Sequence, residues 1–187
     1  MVKWTWAALL LAGAALGQTS STVAVLAGFD ATPAPGVLEA MQTELRSLFT
    51  PAGLSLEWYA LEAPAFLGRP DAVVAVRFTG ACRWDWVSPP LPVAGVLAWT
   101  ARIDGQLQPL VTVDCARISA FVDAPSEALL GRALARVVAH ELYHYLTRQV
   151  THTHSALNRL SVRPRDLLAP AAHFDAAELA ALKKGSA

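Results

Sequence analysis

Short runs of β-branched and apolar residues alternate along the chain with stretches in which apolar residues recur every three or four positions. Thr22 to Phe29 (T-V-A-V-L-A-G-F) is of the first kind and predicts a buried strand. Asp30 to Gly36 holds two prolines and predicts a turn. Val37, Leu38, Met41, Leu45 and Leu48 then fall at helical spacing until Pro51 and Gly53 stop the pattern. Leu54 to Leu61 alternates apolar and polar residues, as a second strand does, and Ala72 to Phe78 predicts a third that is mostly buried. Val93 to Ile103 and Leu107 to Val113 read as two strands joined at Asp104-Gly105, a dipeptide suited to a tight hairpin. Between the third strand and the hairpin, Cys82 to Pro92 is irregular, with Trp84 and Trp86 flanking Asp85. Such a loop either folds its aromatics onto the surface or forms the wall of a cleft.

A long helix follows. It begins between Asp123 and Ser126, either of which can cap it, with Pro125 acceptable in the first turn, and runs to about Thr147. Leu130, Ala133, Leu134, Val137, Val138 and Tyr145 make one broad apolar side, and Arg132, Arg136, Tyr143 and Thr147 stack on the other. The order of elements is strand, helix, two or three strands, a hairpin, the long helix and a small helical tail. That order predicts an α+β fold with helices packed against one mixed sheet. There is no internal repeat and no interdomain linker, so one domain is expected.

Residues 1–17 are expected to stand apart from that domain. Lys3 supplies a positive start, Ala7 to Leu16 a short apolar run, and Ala15-Leu16-Gly17 a small-x-small cleavage site. This is the pattern of an export signal, too short to span a bilayer comfortably. The expected mature domain is 18–187. Its composition, 54% apolar and 16% charged over the whole sequence, excludes disorder. Net charge is zero with no Lys/Arg cluster, so nucleic acid or an anionic membrane is unsupported as a principal partner. Cys82 and Cys115 are the only cysteines, and in the oxidising compartment an export signal implies they are expected to form a disulfide.

Four of the five histidines, His140, His144, His152 and His154, fall within fifteen residues. His140-Glu141-Leu142-Tyr143-His144 lies inside the long helix, where residues four apart sit one turn above each other. Both imidazoles can therefore hold one metal ion, with Glu141 beside the open position as a general base. That is the H-E-x-x-H arrangement of zinc hydrolases. His140 and His144 lie on the border between the two helix sides, which suits a metal held over a cleft floor. A catalytic zinc takes a third protein ligand. A continuous helix would carry residue 152 about 18 Å beyond His140, so the chain must fold back after Arg148. Val150 to His154 favours extended structure, in which His152 and His154 face the same side, and either can serve. Glu178 and Asp166 are further candidates. Glu178 reads more simply as a solvated helix-face carboxylate, and Asp166 as an acidic residue in a helix's first turn. His173 stands alone and reads as surface.

The motif and its sequel resemble the metzincin side of the zincin metallopeptidases, whose pattern is H-E-x-x-H-x-x-G-x-x-H followed by a methionine turn. They resemble more closely small secreted bacterial proteins with H-E-x-x-H, a glycine four residues on, a histidine four beyond that, and then G-L-M or G-I-M. The resemblance implies a zincin-like domain, one Zn(2+), His140, His144 and His152 as its ligands and Glu141 as the base. Arg148 stands at the glycine position, and Ala156-Leu157-Asn158 where the G-L-M would be. Met41 is the only methionine of the expected mature chain, so the methionine turn is missing. The function expected is hydrolysis of a peptide or protein substrate by a secreted zinc metallopeptidase. The alternative is a domain that keeps the zinc as a binding module and has lost turnover.

Overall fold

The computed structural model describes residues 20–62, 68–85 and 95–185. The expected export segment and Trp86 lie outside the described residues, as does the start of the fourth expected strand. The chain runs β1 (Ser21–Ala31), α1 (Pro35–Phe49), β2 (Leu54–Ala60), β3 (Ala72–Ala81), β4 (Ala98–Ile103), β5 (Gln106–Asp114), α2 (Cys115–Val122), α3 (Glu127–Thr147), α4 (Pro164–Leu168) and α5 (Ala176–Gly185). The five strands form one sheet in the order β2-β1-β3-β5-β4. All neighbours are parallel except β4, which runs antiparallel to β5. The expected α+β domain with a mixed sheet is therefore what forms.

Local chemistry accounts for the path. Pro35 starts α1, where its missing N–H costs no helical hydrogen bond. A 3-10 turn at Thr50–Ala52 ends on Gly53, whose φ of 74° turns the chain into β2. β1 has partners on both sides, and Val23 and Val25 on it are fully buried. In β3, Val74, Val76 and Phe78 point into the same core. Asp104 and Gly105 both take positive φ, 49° and 79°, as a two-residue hairpin turn between β4 and β5 requires. The turn leaves β4 on the sheet's outer edge, paired among the described residues with β5 alone.

Two expectations are corrected ahead of the motif helix. Residues 115–122 were not expected to be helical but form α2, capped by Asp114, whose side chain accepts from the Arg117 N–H at 2.9 Å. Asp123 does not cap α3; it ends α2 in the left-handed region at φ 44°. Ser126 is the cap of α3, accepting from the Leu129 N–H, and Pro125 precedes the helix. Cys82 is bonded to Cys115, which fastens the end of β3 to the start of α2. Closing a loop of 33 residues contributes about 2–4 kcal/mol.

The polar side expected for α3 is also covered. Fifteen of its 21 residues are buried, Arg136 and Tyr143 among them. Arg136 donates to Glu44 of α1 at 2.8 Å and to the carbonyls of Asp166 and Leu167 in α4 at 3.0 and 3.2 Å. Tyr143 stacks on Phe174 ahead of α5, ring centroids 5.6 Å apart. Packing from α1, α4 and α5 thus encloses a helix whose sequence periodicity suggested one free face. At Gly131 the crossing with α1 is so close that an added Cβ would run into the Val37 carbonyl.

Candidate metal centre

α3 ends where its sequence signal placed the stop. Arg148 follows it with φ 58° and ψ 20°, a left-handed conformation that glycine takes without a steric cost. The arginine takes it unaided by glycine, and its side chain gains two contacts there. Its guanidinium lies 4.4 Å from the Tyr145 ring centroid and donates to the Leu107 carbonyl at 3.1 Å. The turn then brings the Gln149 carbonyl to 2.6 Å from His144 Nδ1. Further along the returning chain, the Leu157 carbonyl reaches His140 Nδ1 at 2.8 Å.

Those two carbonyls decide the tautomers. A carbonyl only accepts, so each Nδ1 carries the proton and each Nε2 keeps its lone pair. The two Nε2 atoms face each other 3.1 Å apart. The His152 ring lies 5.1 Å from that of His140 and 4.9 Å from that of His144, centroid to centroid. Ligand atoms of the three histidines lie within 4.8 Å of one another. Two nitrogens bound tetrahedrally to one zinc stand about 3.3 Å apart for Zn–N bonds of about 2.05 Å, so the donor set fits a zinc ion. Burial lowers the pKa of His140 and of His144, against the raising effect of their carbonyl partners. Both are thereby favoured in the neutral form that binds metal.

Glu141 is buried beside them and lines the same cleft, a cavity of about 520 Å³. Burial raises its pKa, and a hydrogen bond from Thr100 opposes that rise. Thr100 Oγ1 donates to Glu141 Oε2 at 2.7 Å from the edge strand β4. Sequence reasoning missed Thr100. Its signal was a hydroxyl among apolar neighbours on a strand, which needs a partner when it turns inward. Ala98, Trp99 and Thr100 form one wall of the cleft and Val137 and Leu157 belong to the others, while Trp84 takes no part in the lining.

The remaining candidates are sorted by the same geometry. Val150 to His154 forms no strand, and of its two histidines His152 joins the cluster and His154 does not. His154 is exposed and lines neither the cluster nor the cleft. Asp166 sits in the first turn of α4, closing a reciprocal cap with Arg163 and pairing with Arg159 at 3.6 Å. His173 is exposed. Glu178 is outside the histidine cluster, yet it is not solvated: it is 1% exposed and accepts from Thr153, Ser155 and Asp175. What covers it is the returning loop, whose path the sequence did not reveal.

Asn158 occupies the place of the methionine in the resembled pattern. It is fully buried, and neither its side-chain oxygen nor its nitrogen has a hydrogen-bond partner among the described residues. Each orphaned buried polar group costs about 1–3 kcal/mol. Asn158→Leu, similar in shape and apolar, is expected to stabilise the protein by about 1–3 kcal/mol, raising Tm by about 2–4 °C per kcal/mol. Thermal unfolding of the metal-free protein measures this; an unchanged or lower Tm would mean the amide is not a liability.

No protein-family model matches the chain, and no curated protein matches it. Among solved structures, the chain is similar to the crystal structure of archaemetzincin from Methanopyrus kandleri. That similarity has a TM-score of 0.52 at 12% sequence identity and covers 91% of this chain and 97% of that one. The likeness is one of fold: a zincin-like arrangement of a mixed sheet and helices, consistent with the metzincin resemblance of the motif.

Proposed function

We propose that the chain is a secreted, zinc-dependent metallopeptidase. The observation that carries this reading is the convergence of three imidazoles, two with Nε2 freed by carbonyl partners, beside a buried glutamate in one cleft. His140, His144 and His152 would hold the ion. A zinc ion held there supplies Lewis acidity to a substrate carbonyl and to a water molecule. Glu141 takes up the water's proton and returns it to the leaving amine. Thr100 engages Oε2 of that carboxylate, and Oε1 has no hydrogen-bond partner among the described residues, so it is the atom left to receive the proton. The edge of β4 beside the cleft, unpaired among the described residues, supports recognition of an extended peptide by strand addition. Export is supported by the disulfide, since such bonds persist in oxidising compartments. No helix among the described residues is long and apolar enough to cross a membrane.

The test pairs metal analysis of the mature chain with a broad peptide library. About one zinc per chain is expected, with peptide cleavage that a chelator stops and added zinc restores. Failure to take up zinc at micromolar concentration would defeat the whole reading. Tight zinc without cleavage of any peptide would replace it with a zinc-stabilised binding module.

A further inference from the structure

His152 differs from the two helix histidines in what holds it. His140 and His144 are fixed by α3, whereas His152 lies on a segment, residues 149–163, without helix or strand. A metal ligand in such a segment is placed by whatever holds its neighbours. Thr153, the next residue, donates its backbone N–H to the Asn158 carbonyl at 2.8 Å. Its hydroxyl accepts from the Ser155 N–H at 3.1 Å, and the Ser155 hydroxyl accepts from the Asn158 N–H at 3.0 Å. These bonds close a turn, whose far end is tied to α3 where the Leu157 carbonyl meets His140 and the Leu157 side chain enters the core.

At the near end, beside His152, the attachment is Glu178. Its Oε1 accepts from both hydroxyls, Thr153 Oγ1 and Ser155 Oγ, each at 2.7 Å. Its Oε2 accepts from the Asp175 N–H, and its own N–H donates back to Asp175 Oδ1, both at 2.8 Å. The carboxylate is thus locked to the start of α5 by a reciprocal cap. α5 is in turn seated on α3. Leu182 is fully buried, Phe174 packs on Tyr143, and at Gly185 the helix approaches the Leu146 carbonyl too closely for a Cβ. A continuous chain of contacts therefore runs from the helix carrying His140 and His144, through α5, to the residue beside His152.

We propose that Glu178 is a positioning residue for the metal centre: through Thr153 and Ser155 it fixes the turn that presents His152 to the ion. The C-terminal helix then belongs to the metal site although it contributes no ligand. The proposal rests on the zinc reading above. Groups that hold a metal ligand in place typically account for about 10–100-fold in metal affinity.

Chelator competition with zinc on the purified mature protein tests this, with thermal unfolding of each metal-free variant run beside it. Glu178→Ala is expected to weaken zinc about 10–100-fold while the metal-free protein stays folded. In a His152→Ala background the same substitution is expected to change zinc affinity little, because the ligand through which it acts is gone. Thr153→Val should reproduce part of the loss and Thr153→Ser should restore it, which covers the case in which Glu178→Ala does not fold. Undiminished zinc affinity in folded Glu178→Ala, or in Thr153→Val, overturns the proposal. So does an equal loss with and without His152. If the wild type itself binds no zinc, the zinc reading fails first; if only the variants match the wild type, the positioning role alone falls.

Discussion

Glu141→Gln is expected to keep zinc and fold while lowering peptide hydrolysis by about 10²–10⁴-fold, the usual share of a general base. The substitution preserves size, and an amide still pairs with the Thr100 hydroxyl that now meets Glu141 Oε2 at 2.7 Å. What it removes is the capacity to take a proton. Because Glu141 is not one of the three clustered histidines, metal content should be unchanged, and metal analysis separates loss of the base from loss of the ion. Equal turnover by variant and wild type would show that another group accepts the proton. A variant that loses zinc as well as activity would mean the carboxylate supports the site structurally. Thr100→Val makes a useful companion, since it leaves Glu141 in place and deprives its buried carboxylate of its hydroxyl partner.

How far the sequence discloses this molecule depends on whether a feature is local. The strand runs, the Asp104-Gly105 turn and the end of α3 at Thr147 are set by residues close in sequence, and the structure has them. The i, i+4 placement of His140 and His144 follows from helix geometry in the same way. α2 was hidden because its eight residues, C-A-R-I-S-A-F-V, carry too short a pattern to tell a buried helix from a buried strand. Strand order was likewise not written in any single segment, since the placement of β5 between β3 and β4 is a long-range outcome.

The site was legible in its ionisable side chains and illegible in what holds them. The carbonyls of Gln149 and Leu157 that orient two imidazoles are main-chain atoms, and every residue has one. Arg148 illustrates the limit in the other direction. Glycine is the residue its backbone angle favours, and only the structure reveals that an arginine can stand there with Tyr145 and the Leu107 carbonyl to receive its side chain. Glu178 reads as a solvated charge because charged residues mostly are, and Arg136 falls on the polar side of its helix. Both are buried, Arg136 between α1, α3 and α4 and Glu178 under the returning loop.

Whether His152 or His154 completes the centre is the distinction with the largest expected effect on metal binding. His152→Ala is expected to weaken zinc by more than the about 10–100-fold that outlying partners contribute, because it removes a donor itself. His154→Ala is expected to leave zinc affinity nearly intact. The physical reason lies in the turn after Gln149. Had Val150 to His154 run as a strand, residues 152 and 154 would have faced the same way and competed for one position. Instead the bonds among Thr153, Ser155 and Asn158 curl the chain immediately after His152, whose exposed ring stays within 5.1 Å of both helix imidazoles, centroid to centroid, while His154 lies outside the cluster. Chelator competition on the two single variants, with cobalt substituted for zinc to register a lost nitrogen donor in the electronic spectrum, gives the ranking. A larger loss in His154→Ala would move the third donor two residues along and require the turn to open when the metal binds. Equal retention in both variants would mean that no downstream histidine is a donor and that a carboxylate such as Asp166 or Glu178 must leave its present partners to reach the ion.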